Sequence, residues 1–164
     1  MSRLMRFVPT LACLAATAFA APSIAWAANY WDKLEWQVRP LVLVEGGSSA
    51  DNWTDRLLND RCALAERRIH WLVIEEDGAV WRRFDGGEAA DFESTRLDEG
   101  AAASVRDRVG WSSGDDTRLL LFGLDGQRKY SGRPDALETI WALIDRMPMR
   151  RNELAREPDD CASP

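Results

Sequence analysis

Leu41-Val42-Leu43-Val44 is apolar at every position, and so is Leu119-Leu120-Leu121-Phe122. Ile69-His70-Trp71-Leu72-Val73-Ile74 breaks the same pattern only at its histidine. A strand with one wet face alternates apolar and polar residues, whereas short uninterrupted runs suit strands covered on both faces. Three such runs separated by helix-patterned stretches commit the chain to an open sheet with helices on its faces.

The connections fix the strand directions. Gly46-Gly47-Ser48-Ser49 ends the first run. Ser49 or Asp51 then caps a helix whose apolar stripe is Trp53, Leu57, Leu58, Cys62, Leu64 and Ala65, at spacings near 3.6 residues. Arg67-Arg68 closes it at the end where cations are favoured. Two strands joined through a helix are parallel, with a right-handed crossover. Asp77-Gly78 is a turn, and Ala79–Phe84 is a hairpin arm. Residues 85–98 read as loop. Asp98 caps a short helix over Glu99–Val109, with Gly110 just past its end.

Gly114–Asp116 is a further loop, followed by a strand over Thr117–Phe122. The turn Leu124–Gln127 returns the chain antiparallel through Arg128–Tyr130. The last helix opens near Pro134, presents Leu137, Ile140, Trp141 and Ile144, and stops at Pro148. From Asn152 the tail is polar and reads as loose. The order β-α-β, insert, β-β-α predicts an α/β fold of the thioredoxin-like kind, a mixed sheet of four or five strands with flanking helices.

The N-terminus predicts export. Arg3 and Arg6 precede an apolar region from Phe7 to about Ala25 that contains Pro9 and Pro22, and Ala18-Phe19-Ala20 and Ala25-Trp26-Ala27 are small-x-small cleavage sites. Residues 1–27 therefore read as a signal peptide, with the second site preferred. The expected organisation is this signal, a domain over 28–153 and a flexible tail over 154–164. Cleavage takes two of the 21 basic residues, so 19 face 27 acidic ones, a net charge of −8. An acidic product without a basic block carries no electrostatic footprint for nucleic acid. No later apolar run spans a bilayer, so no membrane contact is expected after cleavage. Lys33 and Lys129 are the only lysines, an arginine bias that suits a GC-rich bacterial genome and hence a periplasmic destination.

Leu119-Leu-Leu-Phe-Gly-Leu-Asp-Gly-Gln-Arg-Lys-Tyr130 and Ile144-Asp-Arg-Met-Pro-Met-Arg-Arg-Asn-Glu153 resemble the end of a bacterial exported family of unknown function. Its members close on Ile-Asp-x-Met-Pro-Met-Arg-Arg after an apolar strand and an Asp-Gly turn. The family is related to the DUDES domains of animal extracellular-matrix proteins. The resemblance covers roughly residues 34–153, with 75–110 the poorest part, and implies a thioredoxin-like fold and export but no activity. Gly123-Leu124 departs from the family's usual Gly-Lys.

The chemistry open to the chain is narrow. A redox thioredoxin needs Cys-x-x-Cys at the start of its first helix, where the helix dipole lowers the thiol pKa. The corresponding loop, Glu45–Trp53, contains no cysteine, and a peroxiredoxin-type nucleophile is absent from it as well. Cys62 and Cys161 remain after signal cleavage. They read as a disulfide in an oxidising compartment, as a buried apolar thiol at Cys62, or as a reactive pair. Cys161 lies 13 residues beyond Pro148, a reach of roughly 40 Å when extended, so the bond is within range.

His70 is the single histidine and has neither triad nor His-x-x-x-His partners, so it reads as structural. Glu75-Glu76-Asp77 and Asp115-Asp116 read as solvated turns, and nothing matches a calcium loop or a phosphate-binding loop. No metal and no cofactor are expected. Arg146, Arg150 and Arg151 cluster at the end of the last helix. They serve either the helix C-terminus or an anion or partner patch.

Trp53, Trp71 and Trp141 fit core positions, while Trp31, Trp36, Trp81 and Trp111 are not placed by periodicity. The leading expectation is an exported, non-catalytic binding domain whose partner is an unidentified protein or envelope component. A thiol-dependent oxidoreductase or peroxidase-like protein using Cys62 and Cys161 is the second reading, and a Trp-mediated glycan-binding module the third.

Overall fold

The computed structural model describes residues 30–46, 51–84, 94–133 and 137–156. The expected signal peptide (1–27), the loop residues Gly47–Ser49, most of the 85–98 segment, Pro134 and Cys161 lie outside the described residues.

A 3-10 turn, Tyr30–Lys33, leads into β1 (Arg39–Val44). Then follow α1 (Asp51–Asn59), α2 (Arg61–Glu66), β2 (Ile69–Ile74), β3 (Val80–Phe84), β4 (Thr95–Arg96) and α3 (Glu99–Val109). β5 (Arg118–Phe122), β6 (Arg128–Gly132), α4 (Leu137–Asp145) and α5 (Pro148–Arg156) complete the order. The sheet has six strands in the order β4-β3-β2-β1-β5-β6. β1 and β2 pair in parallel, and every other pairing is antiparallel.

The apolar runs do what their composition requires. Leu41 and Leu43 of β1, Trp71 and Val73 of β2, and Leu119 and Leu121 of β5 enter one core, with Trp53 and Leu57 of α1, Leu64 of α2 and Ile140 and Ile144 of α4. The alternate residues Val42, Val44, Leu72, Ile74, Leu120 and Phe122 enter a second core with Trp31, Leu34 and the α3 residues Ala102, Val105 and Val109. Successive side chains of a strand point to opposite faces, so β1, β2 and β5 each serve both cores. The result is a helix–sheet–helix sandwich.

Four expectations are corrected. The sheet has six strands, because Thr95 and Arg96 pair with Arg82 and Trp81 inside the segment read as loop. The first helix is two: at Asp60 the chain turns, with Asp60 N–H donating to the Leu57 carbonyl, and α2 begins at Arg61. Cys62 is exposed rather than part of the apolar stripe. α4 ends at Asp145, short of Pro148, and Pro148 begins α5, which runs through Asn152 to Arg156. Proline suits a first helical position, where its missing N–H would have no partner anyway.

Asp98 caps α3 as its sequence predicts, its carboxylate accepting from Ala101 N–H at 2.9 Å, and Gly110 closes the helix in the left-handed conformation. None of the helices among the described residues is long and apolar enough to cross a membrane.

Candidate functional site

In open α/β sheets a crevice forms outside the carboxyl ends of strands where neighbouring connections diverge. β1 is such a strand: its chain leaves through α1 and α2 toward β2, while β5 lies on its other side. A cleft of about 390 Å³ opens at that end. Glu45 and Gly46 reach it from β1, Glu76 from the end of β2, Trp111 from the end of α3, and Ser113–Asp116 from the approach to β5.

Its floor is held by a backbone clamp. Gly46 N–H donates to Thr117 Oγ1 at 3.0 Å, and the Thr117 hydroxyl donates to the Gly46 carbonyl. A β-carbon at Gly46 would collide with the Asp115 carbonyl and stand 2.9 Å from the Thr117 nitrogen, so only glycine lets the two segments approach.

The aromatic wall is equally constrained. Trp111 lies over Gly78, which has φ +82°, and a side chain there would meet the indole at 2.8 Å. Arg106 donates to the Gly78 carbonyl at 2.8 Å and ties the β2–β3 turn to α3. Four carboxylates, Glu45, Glu76, Asp115 and Asp116, line the same cleft. Asp115 accepts from Arg118 at 2.9 Å and from Ser112 N–H at 3.0 Å. The cleft is therefore a negatively charged hollow with one indole wall. Among the described residues no group of three or more His, Cys, Asp or Glu is arranged to hold a metal ion.

These residues were not singled out by their local patterns. Glu76, Asp115 and Asp116 read as solvated turns, and Trp111 as unplaced. The signal available was positional: segments that follow β1 and β2 and precede β5 converge on one end of the sheet.

The arginines near Pro148 part company. Arg146 and Arg151 are exposed, whereas Arg150 is only 4% exposed. Arg150 donates to the Glu66 carbonyl at 2.8 Å and lies 3.6 Å from Asp145 and 3.7 Å from Glu153. Glu153 in turn accepts from Arg39 at 2.9 Å, a side chain only 1% exposed at the start of β1. Arg67 pairs with Asp145 at 2.8 Å, pairs with Glu66 at 3.5 Å, and lies over the Trp141 ring. Three arginines and three carboxylates thus join β1, α2, α4 and α5 in one charge-balanced network. The Ile-Asp-x-Met-Pro-Met-Arg-Arg ending supplies Asp145 and Arg150 to it, which makes that motif a structural joint.

Cys62 lies on α2, whose far end at Glu66 and Arg67 meets this joint. It does not line the cleft beside β1. His70 is buried, and its Nε2 lies 2.7 Å from the Tyr30 hydroxyl oxygen, a pairing that pins the 3-10 turn to β2. Among the four unplaced tryptophans, Trp31 is buried against Phe122, Trp81 and Trp111 are half-buried, and Trp36 is exposed. They do not form one exposed patch.

A family model described as a domain of unknown function, DUF4174, matches residues 31–153. Neither the curated proteins nor the solved structures contain a match.

Proposed function

The chain belongs to the DUF4174 family of domains of unknown function, and from that premise we propose that it is an exported, thioredoxin-like domain that acts by binding rather than catalysis. The observation that carries the proposal is the cleft at the carboxyl end of β1. Its size falls within the range of ligand sites, its walls are fixed by Gly46 and Gly78, and its lining is carboxylate and indole. Such a lining favours a positively charged group, through charge complementarity and through the face of Trp111. The ligand class is a basic side chain or amine presented by a protein or envelope component.

The thioredoxin-like reading is supported by the parallel β1–α–β2 crossover followed by an antiparallel β5–β6 pair and α4, with β5 beside β1. Export rests on the N-terminal pattern of residues 1–27. A disulfide between Cys62 and Cys161 belongs to the same proposal. α5 places Arg150 against Glu66, four residues from Cys62, and Cys161 follows the end of α5 by five residues, a reach of roughly 17 Å.

Two experiments test this. Titrating the protein with a lysine-containing pentapeptide amide should shift the Trp111 indole N–H resonance. The shift should weaken in Glu45→Gln/Asp116→Asn and be absent with a glutamate-containing peptide. No response, or an equal response to both peptides, refutes the binding site. Intact mass after alkylation should show no labelled cysteine without reductant and two with it, at a mass consistent with cleavage after Ala27. Two labels without reductant refute the disulfide.

A further inference from the structure

The two ends of β1 carry opposite charge. Its carboxyl end opens into the cleft, whose lining holds Glu45, Glu76, Asp115, Asp116 and Trp111 and no basic residue. Its amino end begins with Arg39, where α5 docks through Glu153. The six residues of the strand separate these ends by roughly 20 Å.

At the α5 end the carboxylates are spent on the joint. Glu153 faces Arg39 and Arg150, and Asp145 faces Arg67 and Arg150. The corner between α4 and α5 shows solvent a different set of groups. Arg146, Pro148, Met149 and Arg151 are all exposed, and neither of these two arginines takes part in the ion pairs of the joint. Met149 is one of two exposed large apolar side chains among the described residues. The corner is also fixed. Met147 packs against the core, its N–H donates to the Ile144 carbonyl at 2.8 Å, and its carbonyl accepts from Arg151 N–H at 3.1 Å. A thioether flanked by two guanidinium groups therefore stands at a set place on the surface.

Each of these groups has its complement in the cleft. Guanidinium forks suit carboxylates, and a thioether packs favourably against an indole. From this we infer that a second copy of the chain supplies the basic group, its Arg146–Arg151 corner entering the cleft of its neighbour head to tail. The inference rests on the cleft being a site for a basic group. An unrelated basic partner would require no matching corner on this chain. A copy cannot fill its own cleft, because its corner stands at the other end of the sheet. The contact joins different surfaces of the two copies, so a dimer still presents one corner and one cleft, and the row can grow. One corner in one cleft is a small contact, so the association is weak and falls with salt.

Sedimentation velocity tests this on the protein at about 10 µM to about 1 mM in about 0.1 M salt, where charges more than about 10 Å apart are screened and net repulsion between copies is damped. The weight-average mass should rise with concentration from monomer to beyond dimer, and fall back at about 0.5 M salt. Arg146→Gln/Arg151→Gln and Glu45→Gln/Asp116→Asn should each stay monomeric while keeping the parent's unfolding midpoint. Mixed in equal amounts, the two variants should form dimers and nothing larger, because one intact corner meets one intact cleft. A parent protein that stays monomeric throughout overturns the inference. So does association that either double variant leaves unchanged, or a mixture of the two that does not dimerise. The response of Trp111 to the lysine peptide is read on dilute protein. A monomeric protein that still binds that peptide loses this inference and keeps the cleft, so the two proposals fail separately.

Discussion

Replacing Glu153 with alanine removes the carboxylate that faces Arg39 across 2.9 Å and approaches Arg150 at 3.7 Å. Arg39 would keep its bond to the Arg67 carbonyl at 2.9 Å, but its charge would stay buried without a counter-ion. Breaking a fully buried pair costs about 3–5 kcal/mol, and an exposed pair is worth about 1 or less. The Glu153 side chain is 22% exposed, so the cost lies between these limits, at about 2–3 kcal/mol. With a urea slope of about 1.5 kcal/mol per molar, the unfolding midpoint should fall by roughly 1.3–2 M.

Tryptophan fluorescence reads the transition, because Trp141 lies beside Arg67 in the same network. Glu153→Gln keeps an acceptor and loses the charge, so its loss should be intermediate, about 1–2 kcal/mol. Arg151→Ala, exposed two residues away, is the control and should stay within about 0.5 kcal/mol of the parent. If Glu153→Ala and Arg151→Ala unfold at the same midpoint, the joint does not hold the helices, and the structural reading of the motif is wrong.

Gly46→Ala should destabilise by about 2 kcal/mol or more and shift the Trp111 resonance, because the added carbon forces the Asp115–Thr117 backbone away from β1. Asp98→Ala should cost about 1 kcal/mol in the same urea assay, the worth of a helix cap whose acceptor serves Ala101 N–H. Asp125 titrates below its ordinary value of 3.8. Burial raises it, but the bond and charge of Lys129 and the Gln127 N–H outweigh that effect. A carboxyl depressed by folding stabilises above its unfolded pKa and loses that contribution as pH falls through its folded pKa, here below 3.8. Lys129→Ala should therefore move the Asp125 carboxyl titration upward, as read by carbon NMR; an unchanged titration would remove Lys129 as the cause.

Features that follow from local rules were legible in the residues alone. Apolar runs, broken only at His70, placed β1, β2 and β5, because a strand covered on both faces has no wet side to alternate toward. Asp98 and Gly110 bracketed α3, because a cap acts within one turn of its own helix. The helix between β1 and β2 fixed their parallel pairing, because a tight turn cannot join parallel strands.

Tertiary structure decided what depended on partners far along the chain. The two residues of β4 are a strand only because β3 offers them an edge. Asp60 accepts from the Trp141 indole at 2.6 Å, 81 residues away, where a continuous stripe suggested one helix. α4 ends short of Pro148, and Pro148 starts another helix because α5 has Arg39, Glu66 and Asp145 to pair with. The arginines around it divide for the same reason: a guanidinium with buried partners leaves the surface, and one without them does not. The cleft beside β1 belongs to this second class, since it is made by segments that meet only when the sheet has formed.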